Sequence, residues 1–377
     1  MIYFDNAATS FYKPPQVVGA AVSTIKNLSV NAGRGGHFMS LKGARLMTSA
    51  REKIAAFFGA IDASFVIFTP GCTAALNTAL FGLNLAGKHV ITTALEHNSV
   101  LRPLFELKRR GDISLTVINP KPDGTVDADM ISECIRRSTA LVVTTHVSNV
   151  TGAVLPIRQI GAMCRKNNLI YIVDAAQSAG LLAIDMARDN IDMLALPAHK
   201  GLHSLPGTGA LIINDRVSLK PLILGGTGTR SDSLLQPPSL PEGFEAGTVN
   251  LPGIAAMGRA VDLLNECFDE RHGKVIALAS QLYDMLYSLP GVKIYSPRLS
   301  PSGIITFNVK GMYSEDVCDA LSCDFGICVR GGLHCAPLCH KALSTSDTGA
   351  VRASLSFSNT VGEIDSFYRA IKEISAK

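Results

Sequence analysis

No stretch of this 377-residue sequence is both long and apolar enough to read as a membrane span. The best candidate, residues 169–186, is broken by Asp174, Gln177 and Asp185. Residues 1–6 have no basic region followed by an apolar core, so no secretory leader is expected there. The formal net charge is only +4 and no long basic run accompanies it, which argues against nucleic acid as the main partner. The nine cysteines follow no framework spacing, and in a chain of this size they are expected to stay reduced in the cytoplasm. Neither an internal repeat nor a low-complexity segment is present. Charged residues make up only 18%, against 47% hydrophobic, which is enough for a sizeable core. The length favours two domains.

The chain opens with Asp5-Asn6-Ala7-Ala8-Thr9 and a proline pair, Pro14-Pro15, which read as a loop or arm before a helix. A second loop, 31–37, is followed by apolar residues at 46, 47, 50, 54, 57 and 58, which predict a helix over 41–58. From Phe65 onward the pattern alternates. Strands are expected at 65–69, 89–93, 114–118, 140–145, 169–174 and 191–196, with helices at 71–81, after His97, at 128–137 and at 157–167. Continuous apolar strands alternating with helices imply a mainly parallel α/β sheet covered on both faces.

Beyond Pro252 the pattern changes. Ile254, Met257, Val261, Leu264 and Phe268 fall on one helical face, and a second helix is expected over 275–289. Short strands near 292–295, 304–307, 327–330 and 351–355 alternate with helices near 314–321 and 361–376, forming a smaller α/β unit. The expected division is an arm at 1–20 that packs with the small domain, a large cofactor-binding domain at 21–255 and a small C-terminal domain at 256–377.

The ends of the first unit's strands collect polar residues. Lys200 follows the strand at 191–196, beside His199 and ahead of a Gly-rich loop, where an amine can hold an aldehyde as a Schiff base. Asp174 ends the preceding strand, where a carboxylate can keep a pyridine nitrogen protonated, or can simply cap a helix. Gly71-Cys72-Thr73 lies at a strand–helix junction, which is either a phosphate seat or an ordinary turn. His97, Asn149 and Gln177 follow other strands in the same way. Open α/β sheets bind ligands at this carboxyl edge. In the second unit, Cys335 lies in Arg330-Gly331-Gly332-Leu333-His334-Cys335, and a thiol near His and Arg in such a loop is expected to be accessible and partly thiolate. The content His334-Cys335 and Cys339-His340 also admits a metal site or a structural thiol, although no standard zinc spacing fits. Arg352, in a strand, requires a partner, either a substrate carboxylate or an internal acid.

Together these residues resemble the cysteine desulfurase family, within class V of the pyridoxal-phosphate aminotransferase superfamily. The resemblance covers essentially the whole chain. It rests on Asp5–Thr9, Gly71-Cys72-Thr73, Glu96-His97, His146–Asn149, Asp174–Gln177, His199-Lys200, Phe244–Thr248, Arg330–Cys335 and Arg352. It implies a seven-stranded large-domain sheet and pyridoxal 5'-phosphate as cofactor. Lys200 would carry the cofactor and move protons at the substrate Cα. Asp174 would pair with the ring nitrogen, Gln177 with the ring hydroxyl, and Asn149 with that hydroxyl or the substrate carboxylate. His97 would stack on the ring. Gly71, Cys72, Thr73 and His199 would hold the phosphate, together with Thr227 or Thr229 from a partner subunit, which implies a homodimer. Arg352 with Arg330 would clamp the substrate carboxylate.

The implied reaction converts L-cysteine to L-alanine and leaves a persulfide on Cys335. It mobilises sulfur for a dedicated acceptor protein, in processes such as iron–sulfur cluster assembly. The same resemblance admits a selenocysteine lyase, another class V lyase or aminotransferase, or a non-catalytic sulfur-relay protein with this fold. Three positions and one segment depart from the family pattern. Pro197 replaces a frequent serine, Cys72 a frequent hydroxyl residue and Leu333 a frequent histidine, and 201–209 lacks the common Gly-Pro pattern. No metal is implied.

Overall fold

The computed structural model describes all residues except Arg34, Pro122, Leu299 and Lys377. In chain order its elements are β1 (Ile2–Tyr3), α1 (Pro15–Asn27), α2 (Phe38–Phe58), β2 (Val66–Thr69), α3 (Cys72–Gly82), β3 (Lys88–Thr93), α4 (Asn98–Arg110), β4 (Ile113–Ile118), α5 (Ala128–Ser132), β5 (Thr139–Thr145), α6 (Ile157–Lys166), β6 (Ile170–Asp174), β7 (Met193–Pro197) and β8 (Gly209–Ile213). They continue with α7 (Leu251–Tyr287), β9 (Val292–Ile294), β10 (Ile304–Val309), α8 (Ser314–Phe325), β11 (Ile327–Cys328), α9 (Pro337–Ala342), β12 (Val351–Ser354) and α10 (Val361–Ile374).

The expected α/β class and the large, mainly parallel sheet are present. Seven strands lie in the order β2-β8-β7-β6-β5-β3-β4, and only β8 runs against its neighbours. The central strands are buried on both faces, which is why they read as unbroken apolar runs. Apolar clusters cover the two faces, one built around Ile91, Val142 and Val173, the other around Val90, Val143 and Ile172. A third core, built on β10, β12, α8 and α10, buries Phe307 and Phe367. Phe4 of the arm inserts into it, edge-on to Phe367 at 5.4 Å. Next to Phe4, β1 pairs in parallel with β11.

Several elements depart from the expectations. β8 occupies apolar sequence after the Gly-rich loop, where no strand was expected; it wedges between β2 and β7 because all five of its residues find cover there. α5 stops at Ser132 rather than running to 137. Arg136 N donates to Thr139 Oγ1 at 2.7 Å and Thr139 N to Arg136 O at 2.9 Å, and this turn feeds the chain into β5. The two helices expected after Pro252 are one. α7 continues through a kink at Cys267, where φ is −144° and the thiol donates to Leu263 O at 2.8 Å. Before the kink, α7 packs on the large-sheet core with Ile254, Met257 and Val261; after it, Leu278, Leu282 and Leu286 pack in the third core.

Candidate active site

The carboxyl ends of β2, β3, β5, β6 and β7 converge on a cavity of about 610 Å³. Gly71, Cys72, Thr73, His97, Asn149, Asp174, Gln177, His199 and Lys200 all line it. The sheet decides this, since β2, β3, β5, β6 and β7 all run in one direction, with only β8 against them, and each residue lies at or just past the carboxyl end of one of these strands.

At one wall α3 begins immediately after Gly71, which has φ 149° and ψ 177°. A side chain there would be strained, and Gly209 of β8 packs against it, where an added Cβ would come within 2.8 Å of Gly71 Cα. No side chain caps α3, so its first N–H groups are free to meet an anion. Thr73 Oγ1 lies 2.8 Å from Ser99 Oγ, which in turn lies 2.9 Å from His97 Nδ1. His97 caps α4: its Nδ1 accepts from Ser99 N at 3.0 Å, so that nitrogen carries no proton. Burial holds the imidazole below its ordinary pKa, with Asp174 acting in the opposite sense.

Asp174 is 2% exposed. Its Oδ1 accepts from Ala176 N at 2.8 Å and from the Cys72 thiol at 3.4 Å. It therefore forms the local turn expected of a capping aspartate and also faces the cavity. Burial, and then Asp174 itself, push the Cys72 thiol well up, so Cys72 is a neutral donor. Lys200 sits just past β7, and its ammonium makes no hydrogen bond among the described residues. Burial pulls it below the ordinary lysine range, and Asp174 opposes that shift. His199 is pulled down to about 4 by burial and by Lys200, and its Nδ1 lies 3.1 Å from Thr9 Oγ1. Gln177 donates to Ala7 O at 3.0 Å.

The second unit reaches this edge through the Cys335 loop. Asn98 N at the start of α4 donates to Cys335 O at 2.7 Å, and Asn149 Nδ2 donates to His334 O at 2.7 Å. Cys335 itself is exposed. Arg352, 1% exposed, takes the internal acid: its guanidinium donates to Asp5 Oδ1 at 2.8 Å and to Asn149 O at 2.9 Å. Arg330 and Arg352 exchange backbone hydrogen bonds, which sets their side chains on adjacent strands. Thr227 is not brought to the cavity. It bonds to Thr229 and lines a separate pocket with Thr48, Arg51 and Glu245. No group of three or more His, Cys, Asp or Glu converges on a metal-sized site among the described residues.

Three participants were given no role of their own in the sequence, although Asp5 and Glu96 lie in the motifs quoted there. Ser99 links Thr73 to His97, and its place two residues into a helix start was the available signal. Asp5 partners Arg352, and Glu96 is a buried carboxyl. Glu96 Oε1 accepts from Thr93 Oγ1 at 2.6 Å while Oε2 has no hydrogen-bond partner among the described residues, and burial pushes the acid up to about 8.

A lysine, a buried carboxylate facing the same cavity and an uncapped helix start thus lie together at this sheet edge. The sequence model of the aminotransferase class-V family matches residues 2–367, and the chain belongs to that family. A probable cysteine desulfurase of Methanothermobacter thermautotrophicus is 34% identical over 99% of this chain and 94% of its own length. One from Halalkalibacterium halodurans is 32% identical over 99% and 93%. Among solved structures, the apo cysteine desulfurase of Thermococcus onnurineus superposes with a TM-score of 0.92 at 30% identity, covering 100% of this chain and 94% of that one. An Escherichia coli cysteine desulfurase gives 0.88 at 25% identity, covering 98% and 94%.

Proposed function

We propose that the chain is a pyridoxal-phosphate-dependent cysteine desulfurase, converting L-cysteine to L-alanine with sulfur transfer to Cys335. The carrying observation is the docking of the Cys335 loop on the Lys200 cavity, through Asn98 N to Cys335 O and Asn149 Nδ2 to His334 O. Thiol and amine are thereby presented to one substrate.

The residues fit the cofactor. The free N–H groups of α3, Thr73 and His199 would hold a phosphate, Asp174 a protonated ring nitrogen, and His97 a ring face, with Gln177 and Asn149 at the rim. When bound, pyridoxal phosphate supplies an electron sink for charge at the substrate Cα. Lys200, whose pKa burial lowers, takes and returns the Cα proton. The two arginines, Arg352 and Arg330, orient the substrate carboxylate. The Cys335 thiolate attacks the substrate sulfur: an S–S bond forms, the substrate C–S bond breaks, and its electron pair stays on carbon, which gains a proton. Cys335 carries the persulfide, and alanine leaves with no net redox change.

The division into an arm (1–20), a large unit (21–255) and a smaller unit (256–377) belongs to this proposal, with α7 crossing the join. So does a homodimer in which the partner subunit's Thr227 completes the phosphate seat. It is supported by exposed Leu222, Ile223, Leu224, Leu234 and Leu235 in the same segment. A sulfur-acceptor protein receives the persulfide. Nine free cysteines support a reducing, cytoplasmic setting, and no helix among the described residues is long and apolar enough to cross a membrane.

The test is to load the purified chain with pyridoxal phosphate and supply L-cysteine. Alanine and a persulfide on Cys335 are expected. Cys335→Ala is expected to abolish sulfur transfer, and Lys200→Ala to lower turnover by about 1,000-fold and remove the cofactor's visible band. Pyruvate as product, or a Cys335→Ala variant as fast as wild type, would sink the reading. Selenocysteine run alongside separates the lyase alternative.

A further inference from the structure

His334 and Cys335 are consecutive non-glycine residues in the left-handed region, with φ 49° and 56°. L side chains hold that conformation only where the surroundings over-determine it. From the cavity side, Asn149 and Asn98 bind the two carbonyls of this pair. From the other side, the hold is the His334 ring.

His334 Nε2 lies 3.2 Å from Arg330 O, which can only accept, so Nε2 carries the hydrogen. Nδ1 is then an acceptor, and it lies 3.2 Å from His340 Nε2, which must donate. His340 Nδ1 in turn accepts from the Thr345 hydroxyl at 2.8 Å. The two rings stack with centroids 5.4 Å apart and planes 21° apart. With both rings neutral, these contacts admit one placement of protons. Burial keeps both imidazoles below their ordinary range, His340 at about 4. The charged or titratable groups acting on His334 are Arg352, His340 and Arg330, all of which disfavour a second proton.

We propose that His340 and Thr345 are positioning residues for sulfur transfer: through a neutral His334 ring they hold Cys335 in the backbone conformation that aims its thiol at the substrate. The inference rests on the desulfurase reading. It assigns the His340 position, which a metal-ligand reading of this motif would explain differently, to loop geometry.

The test uses the full chain loaded with pyridoxal phosphate. His340→Phe keeps a stacked ring and removes the donor; Thr345→Val keeps the shape and removes the hydroxyl; Thr345→Ser restores it. Two rates are measured: single-turnover persulfide formation on Cys335, and site-resolved alkylation of Cys335 by iodoacetamide without substrate. His340→Phe is expected to slow persulfide formation by about tenfold or more, and Thr345→Val by about threefold, with little change in KM for L-cysteine. Alkylation of Cys335 should shift by about threefold in both, and Thr345→Ser should recover both rates. Persulfide formation within about twofold of wild type in His340→Phe and Thr345→Val overturns the inference, as does a slowing matched by a rise in KM. If His340→Phe fails to fold, Thr345→Val against Thr345→Ser decides. If wild type forms no persulfide, the function reading fails, and unchanged alkylation then separately overturns the positioning role.

Discussion

Arg352 and Asp5, 347 positions apart in the chain, form an ion pair with Nη2 to Oδ1 of 2.8 Å. The guanidinium expected to clamp a substrate carboxylate therefore already holds the first residue of the Asp5–Thr9 motif. Its other terminal nitrogen donates to Asn149 O, and Nε is buried without a hydrogen-bond partner among the described residues. The arm, β12 and the loop after β5 thus meet at one cation.

Asp5→Ala leaves that cation buried and unpaired. The expected loss is about 3 kcal/mol, the low end for breaking a buried pair, because the Asp5 side chain keeps 20% exposure. Urea unfolding of the two proteins checks it. Arg352→Ala strands Asp5, whose side chain keeps 20% exposure, and the Asn149 carbonyl, and KM for L-cysteine is also expected to rise about 100-fold.

Glu96 makes stability depend on pH. Its folded pKa is raised to about 8, above the unfolded value of 4.5, so the folded state binds the extra proton. Below about pH 4.5 Glu96 contributes nothing; between 4.5 and 8 it destabilises increasingly as pH rises, by several kcal/mol at most. Glu96→Gln, neutral at every pH, should melt higher than wild type at pH 8 and no higher at pH 4.5. Equal melting temperatures at pH 8 would contradict this.

Cysteine accessibility should sort into two groups. Cys335 and Cys323 are exposed. Burial pushes the thiols of Cys339 and Cys164 up to about 12. At pH 8, iodoacetamide followed by peptide mass spectrometry should label the first pair and spare the second. Labelling of Cys339 as fast as Cys335 would bring it into the sulfur chemistry.

Glu245, in the Phe244–Thr248 motif, is a structural clamp. It pairs with buried Arg51 of α2, and its Oε1 accepts from Phe68 N of β2 at 2.6 Å. Arg51 also stacks on the Phe68 ring at 4.5 Å. Glu245→Ala should cost about 3–5 kcal/mol. Thermal melting measures that loss.

The parallel sheet was legible because strand burial on both faces writes itself into consecutive apolar residues, as in Ile170–Asp174 and Met193–Pro197. Lys200, Asp174, His97 and Thr73 were legible as a set, because each ends such a strand or follows one by a few positions, and strands that run in one direction bring those positions to one edge. β8 was not, since a short apolar run after a flexible loop carries no sign of the direction in which it will pair. The end of α5 turned on Thr139 capturing Arg136 N, a contact that helical periodicity does not record.

Local order, the strand edge and the residue types it carries were thus determined by the sequence alone, since alternation and apolar runs are properties of neighbours. Tertiary structure decided which groups answer one another across long separations. It gave Arg352 to Asp5, Asn149 to the His334 carbonyl and His334 to His340, and it kept Thr227 away from the cavity of its own chain. Buried polar groups must find partners wherever packing brings them, and packing is settled by all three cores together rather than by any one segment.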